Sequence, residues 1–182
     1  VNDVTGAGDC FLAAFVYGLT QDKTIKECLE LAAKGATESV KHLGTYILSK
    51  SDLEDTVVFT NGCFDILHIG HLKLLRHARS LGNKLIVAIN SDASVKRLKG
   101  ETRPINSQEI RKETLEQLGI VDEVIIFDDD TPYETIKKIK PNIIVKGGDY
   151  TVETVVGNDL AEVAIFPKVK GYSTTNIIKA SK

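Results

Sequence analysis

From residue 56 onward, short apolar runs alternate with amphipathic segments. Residues 56–60, with Val57, Val58 and Phe59 in succession, read as a buried strand, and residues 84–89, 123–127, 142–145 and 162–166 repeat the type. Between them, residues 70–81, 107–118 and 131–139 carry apolar positions at helical spacing, and residues 174–179 read as a closing helix. Leu72, Leu75, His77 or Ala78, and Leu81 would form the inner side of the first helix, and Ser107 is placed to cap the second. Strands apolar on successive residues are covered on both faces, so the pattern predicts a parallel sheet in an open, doubly wound, Rossmann-like α/β fold. Its connections should be right-handed, with ligands beyond the carboxyl ends of the strands.

The first fifty residues differ. An apolar stretch over 11–19 follows Gly8 and Asp9, and an amphipathic segment runs from Thr24 to about Lys41, with Thr24 and Glu27 at capping-box spacing. Residues 45–48 suggest one short strand, and 49–55 a polar linker. Two helices cannot enclose a core alone. The expected division is therefore a mainly helical segment over 1–50, a linker over 51–55 and an α/β domain over 56–182.

Composition narrows the function classes. With Lys+Arg 23 against Asp+Glu 25, the net charge is −2, and no basic stripe suggests a nucleic-acid partner. No apolar run approaches the roughly 20 residues needed to span a bilayer, and no charged-then-apolar leader is visible, so neither a membrane partner nor secretion is expected. Cys10, Cys28 and Cys63 have no metal-ligand spacing, and so sparse a count suits a reducing cytoplasm. The chain opens on Val1 and contains Met 0, which leads us to expect residues missing upstream.

The chemistry concentrates in residues 59–71. The first strand runs into Asn61-Gly62-Cys63-Phe64-Asp65, then His68-Ile69-Gly70-His71 at the start of a helix. A strand, a glycine turn and a helix N-terminus together form an anion site, with free backbone N–H groups and the helix dipole aimed at its occupant. His68 and His71, three apart, present both rings on one side and can donate hydrogen bonds to phosphate oxygens. A bare His pair would also suit a half-buried surface pair or a metal site, but HExxH spacing and a third ligand are absent, so no metal site is expected.

The stretch FTNGCFDILHIGHLKLLRHARSLG resembles the cytidylyltransferase-like superfamily. Within it, the chain is similar to the adenylyltransferase half of bifunctional heptose-phosphate enzymes of the ADP-heptose pathway. Residues 89–100 (INSDASVKRLKG), 103–111 (RPINSQEIR), 145–150 (VKGGDY) and 171–178 (GYSTTNII) agree in order, so the match covers residues 56–182. The resemblance implies that His68 and His71 bind the reacting phosphates and that Asn61, Gly62, Cys63 and Phe64 border the nucleotide. Lys99 would reach a phosphate as a mobile positive charge, against the alternative of a solvated surface loop. Asp65 would face the sugar or simply form an Asx turn. Arg111 would contact phosphate or pair with Glu109 or Glu113 along its helix. Gly147 and Asp149 would meet base or ribose, and Ser173, Thr174 and Thr175 would start a last helix against the β/γ-phosphates.

The implied reaction is attack by a sugar-1-phosphate oxygen on the α-phosphorus of ATP, with Mg2+ on the triphosphate and pyrophosphate released. The implied partners are small-molecule substrates, and a homo-oligomer stays open. A cytidylyltransferase acting on glycerol 3-phosphate or a related polyol is the alternative, and nothing in the residues themselves excludes CTP. A nucleotide-binding sensor that has kept the pocket is the non-enzymatic reading.

Gly6-Ala7-Gly8-Asp9 resembles the GAGD signature near the carboxyl end of ribokinase-family sugar kinases, which the same bifunctional enzymes carry ahead of the transferase. That match would make Asp9 a kinase base and residues 6–8 its anion hole. The substrate-binding bulk of a kinase is absent from these residues, so no kinase activity is expected of the segment alone. Residues 44–56 and 157–166 are shorter than the family pattern leads us to expect.

Overall fold

Five apolar runs become five strands: β1 Val57–Gly62, β2 Lys84–Asn90, β3 Glu123–Phe127, β4 Ile143–Gly147 and β5 Glu162–Phe166. The computed structural model describes residues 2–167, so residues 173–175 and the expected closing helix lie outside the described residues. The strands form one sheet in the order β3-β2-β1-β4-β5, with every pair parallel. From β1 the chain winds outward through β2 and β3, then returns to β4 on the other side of β1. The β1/β4 boundary is therefore the topological switch point, where a crevice opens at the carboxyl ends.

β1 and β4 each run two residues beyond the apolar stretch that announces them. Pairing with neighbouring strands carries them on, Asn61 and Gly62 against Ala88 and Ile89, and Lys146 and Gly147 against Ile165 and Phe166. Polar and glycine residues thus reach the mouth of the crevice on rigid backbone.

Helices α4 Ile69–Ser80 and α6 Gln108–Glu116 supply Leu75, Ala78 and Leu115 to one face of the sheet, against Val58, Leu85, Val87 and Ile89. Helix α7 Tyr133–Ile139 supplies Ile136 to the other face, against Phe59, Ile86, Ala88 and Ile144. Both faces are covered, as the unbroken apolar runs require. Gly82 turns the chain from α4 into β2 where its backbone passes beneath β1. A Cβ there would stand 2.2 Å from the Thr56 carbonyl oxygen, so no larger residue fits.

Helix α5 Asp92–Lys99 was not anticipated by the sequence pattern. It has a single turn's worth of buried positions, Ser94 and Val95, too few to generate a visible period. Its cap is specific: the Ser91 hydroxyl accepts from the Ser94 N–H at 3.0 Å.

The chain divides into two compact units, Val1–Asp55 and Thr56–Lys182. In the first, α1 Ala7–Thr20 packs on α2 Ile25–Ser39 through small residues. Gly18 faces Cys28 and Gly35 faces Ala14 so closely that a Cβ would come within 2.9 and 2.8 Å of those side chains. The capping box at Thr24 and Glu27 is present, each side chain meeting the other's backbone N–H. The short strand expected over 45–48 is absent, because that unit offers it no neighbouring strand among the described residues. Residues 49–55 are not a plain linker either: they form a one-turn helix, α3 Lys50–Leu53, with Leu53 buried and Lys34 Nζ donating to its carbonyl at 3.0 Å. Among the described residues no helix is long and apolar enough to cross a membrane.

Candidate active site

The carboxyl end of β1 leads through Cys63 and Phe64 into the start of α4, and this turn forms one wall of a cavity of about 660 Å³. Phe64 takes a left-handed backbone conformation (φ 46°), which swings its ring inward over the turn. A Cβ on Gly62 would press against that ring at 3.3 Å. The ring also lies 5.1 Å from His71, so the turn is fixed by an aromatic contact as well as by backbone.

His68 is the N-cap residue of α4 and His71 lies in its first turn. Their rings stack at 3.8 Å with 17° between planes. Burial lowers the pKa of both; for His71 burial and then the neighbouring His68 bring it to about 4. At neutral pH both rings are therefore uncharged, each with one N–H to donate. The pair offers hydrogen bonds and a helix terminus to an anion, not formal charge.

Behind the turn, the loop over 103–107 is pinned to Asp65. The Asp65 side chain is buried and accepts from Arg103 Nε at 2.7 Å and from the Ile105 and Asn106 N–H groups at 2.9 Å. Burial pushes this carboxyl up, but the Asn106 and Ile105 N–H groups and Arg103 outweigh it and hold it below the usual range. Both its oxygens are engaged by the 103–107 loop, so the arrangement is not a local Asx turn, and the residue also lines the cavity.

Arg111 is placed differently from either alternative read in the sequence. Its guanidinium is fully buried, donating to the Asn106 carbonyl at 3.1 Å, the Cys63 carbonyl at 2.7 Å and Asp92 at 2.7 Å. It pairs with neither Glu109 nor Glu113, and it stands behind the cavity wall. Its three anchors tie α6, the β1–α4 turn and α5 together, so its effect on the site is to position other groups.

Lys99 lies in the last turn of α5, exposed at the cavity rim, rather than in a loop. Gly147, the last residue of β4, and Asp149 just beyond it line the opposite wall, next to Tyr150, whose N–H donates to the Gly147 carbonyl at 3.1 Å. Cys63 borders the cavity too, its thiol pushed up by burial. Asn61, Gly62, Phe64, His68 and His71 are all brought to this one cavity, and Asp9 belongs to the other unit.

One residue of this site was passed over in the sequence. Lys146, the penultimate residue of β4, is buried among the cavity-lining groups, and its Nζ donates to the Asn61 carbonyl at 3.1 Å. The signal was available: a lysine inside a strand otherwise apolar, where burying a charge is costly. Among the described residues no group of three metal-ligating side chains converges.

Comparison with known proteins agrees with this architecture. The family model for cytidylyltransferase-like proteins matches residues 59–181, and that for pfkB family carbohydrate kinases matches residues 1–52. Bifunctional protein HldE of Campylobacter concisus is 47% identical over 213 aligned positions, covering 100% of this chain and 45% of that protein. Its counterpart in Nitratiruptor is 44% identical, over 98% of this chain and 46% of its own length. The chain thus spans about half the length of the curated relatives it matches. The 213 aligned positions exceed the chain's 182 residues, so this relative carries segments that the chain lacks. Among solved structures, a lipopolysaccharide core biosynthesis protein from Thermoplasma volcanium superposes with a TM-score of 0.54 at 29% identity, over 66% of this chain and 100% of that one. Pantothenate synthetase from Thermus thermophilus, 18% identical over 67% of this chain and 61% of its own, shares the fold with a TM-score of 0.51. On its sheet order, its histidine-bearing turn and a family match spanning most of its length, the chain belongs to the cytidylyltransferase-like family.

Proposed function

We propose that residues 56–182 transfer AMP from ATP to D-glycero-β-D-manno-heptose 1-phosphate, giving ADP-heptose and pyrophosphate for lipopolysaccharide-core precursors in the cytoplasm. The observation that carries this reading is the stacked, uncharged His68–His71 pair at the N-terminus of α4, opening into a cavity at the switch point of the sheet. Relatives named HldE, at 44–47% identity for the two described above, support the choice of sugar.

A phosphate oxygen of the sugar attacks the α-phosphorus of ATP, and the bond from that phosphorus to the α–β bridging oxygen breaks. Magnesium pyrophosphate leaves, and no covalent enzyme intermediate forms. Such a reaction needs positioning and charge stabilisation rather than a protein nucleophile. The imidazole N–H groups and the α4 terminus donate to phosphate oxygens as charge redistributes. Asn61, Gly62, Cys63 and Phe64 border the nucleotide, and Gly147 and Asp149 meet its base or ribose. Lys99 closes over the phosphates from the rim, and Ser173, Thr174 and Thr175 complete the triphosphate contacts. Asp65 and Arg111 act one step back, by holding the 103–107 loop and the β1–α4 turn. Magnesium enters on the triphosphate, as part of the substrate.

Residues 1–50 we read as the carboxyl-terminal portion of a sugar-kinase fold, with Asp9 in the place of its base and no kinase activity of their own. The test is pyrophosphate release with ATP or CTP against a panel of sugar and polyol phosphates. Turnover is expected with ATP and heptose 1-phosphate. Turnover with CTP and glycerol 3-phosphate instead would replace this reading, and folded protein that turns over no pair would sink it.

A further inference from the structure

We infer that Lys146 is a phosphate-binding residue of this cavity, its ammonium held at the β1/β4 switch point to meet an oxygen of a bound phosphate. The inference rests on the nucleotidyl-transfer reading only for the identity of that phosphate.

Two cationic side chains are buried among the described residues, Arg111 and Lys146. Arg111 is fully partnered, with a carboxylate at 2.7 Å and two carbonyls. Lys146 is not. Its Nζ has one carbonyl, that of Asn61 at 3.1 Å, and the Tyr150 ring face at 5.1 Å. Among the described residues no carboxylate lies within 4.0 Å of it. An ammonium has three donors, and a buried charge is normally paired. The strain of this arrangement shows in its acidity, since burial lowers the Lys146 pKa to about 8. Asn61 repeats the pattern, because its Oδ1 is buried at the same crevice without a hydrogen-bond partner. Two adjacent, incompletely satisfied polar groups at the mouth of a cavity mark a place where a ligand completes the hydrogen bonding.

The other groups of the cavity leave Lys146 this role. The His68–His71 pair is uncharged, Arg103 is engaged with Asp65, and Lys99 stands exposed at the rim. Lys146 is thus the desolvated cation lining the cavity that has no ion-pair partner among the described residues. In a water-poor setting its attraction to a phosphate oxygen is stronger than that of a surface lysine.

The experiment compares the full chain with K146M, which keeps the length and apolar stem, and with K146R. Unliganded melting temperature, calorimetric binding of Mg·ATP, heptose 1-phosphate and inorganic tripolyphosphate, and the split between KM and kcat are read for each. K146M should melt no lower than wild type, since it removes an unpaired buried charge, while its affinity for one phosphate ligand falls about 10- to 100-fold. K146R should recover part of that affinity. Weakening confined to Mg·ATP assigns the contact to the nucleotide, and weakening confined to the sugar phosphate assigns it to the nucleophile. Wild-type protein that binds tripolyphosphate but not ATP would sink the nucleotidyl-transfer reading while leaving Lys146 as a phosphate ligand. Wild-type affinity for all three in K146M overturns the inference, as does a fall in melting temperature that accounts for the loss of binding.

Discussion

The two units bury different things. In the α/β unit, Phe59, Leu75, Leu85, Ile89, Leu115, Ile136 and Ile144 are sealed from solvent. In the helical unit the buried apolar residues are mostly small: Cys10, Ala14, Cys28 and Ala32, with Leu53 the one large member. More than half of the exposed large apolar side chains among the described residues lie in that unit, which is under a third of the chain. Leu12, Val16 and Leu19 form a stripe at helical spacing along α1, all at least 45% exposed, on a helix whose Cys10–Ala14–Gly18 side already packs on α2. A helix apolar on both sides has a second surface to cover. The α/β unit therefore has a closed core and a built cavity, whereas the helical unit keeps an apolar side of α1 exposed.

That contrast sets the order of expected effects. The largest belongs to the site: His71→Ala should lower kcat for pyrophosphate release by about 10²- to 10³-fold with the circular dichroism spectrum unchanged, the size of a lost transition-state donor. Asp9→Asn, in the other unit, should leave that rate untouched, and a matching loss there would erase the functional distinction between the units. Next is the closed core. Leu75→Ala should cost about 2–5 kcal/mol in urea unfolding, because its site cannot collapse around the missing atoms. A loss under about 0.5 kcal/mol would mean that the α/β core is no better packed than the helical layer.

The third concerns acid. The pKa of His71 is about 4 in the folded unit against an ordinary 6.5, so between those values the unfolded chain binds more protons. Stability should then fall as pH drops from about 6.5 towards 4, and His71→Asn should flatten that part of the profile in melts taken across the range. An unchanged slope in the variant would remove His71 as its source. The smallest effect is on the open side of α1. Leu12→Ser should change stability by no more than about 0.5 kcal/mol and reduce self-association in sizing experiments. A large destabilisation would show that the stripe is already covered.

Much of this was legible in the chain. Runs such as Val57-Val58-Phe59 named the strands because a two-sided core demands apolar residues in succession. The turn over 61–71 named the chemistry, because glycine next to a helix start is what a phosphate requires. Helix α5 was not legible, since eight mostly polar residues with two buried positions carry no period. Neither were the partners of Asp65 and Arg111, which lie some 40 residues away or on other elements. Local spacing offered Arg111 only Glu109 and Glu113, and the tertiary fold gave it Asp92 and two carbonyls instead.

The sequence by itself determined the layer architecture, the strand sites of the α/β unit and the identity of the His68–His71 turn, all of which follow from patterns a few residues long. Only the tertiary structure decided that these histidines stack and lose their charge, that Asp65 and Arg111 pin the 103–107 loop and the β1–α4 turn, and that Lys146 faces the cavity. Those are consequences of burial and of which strand ends meet, and a charge changes its meaning once water is removed from around it.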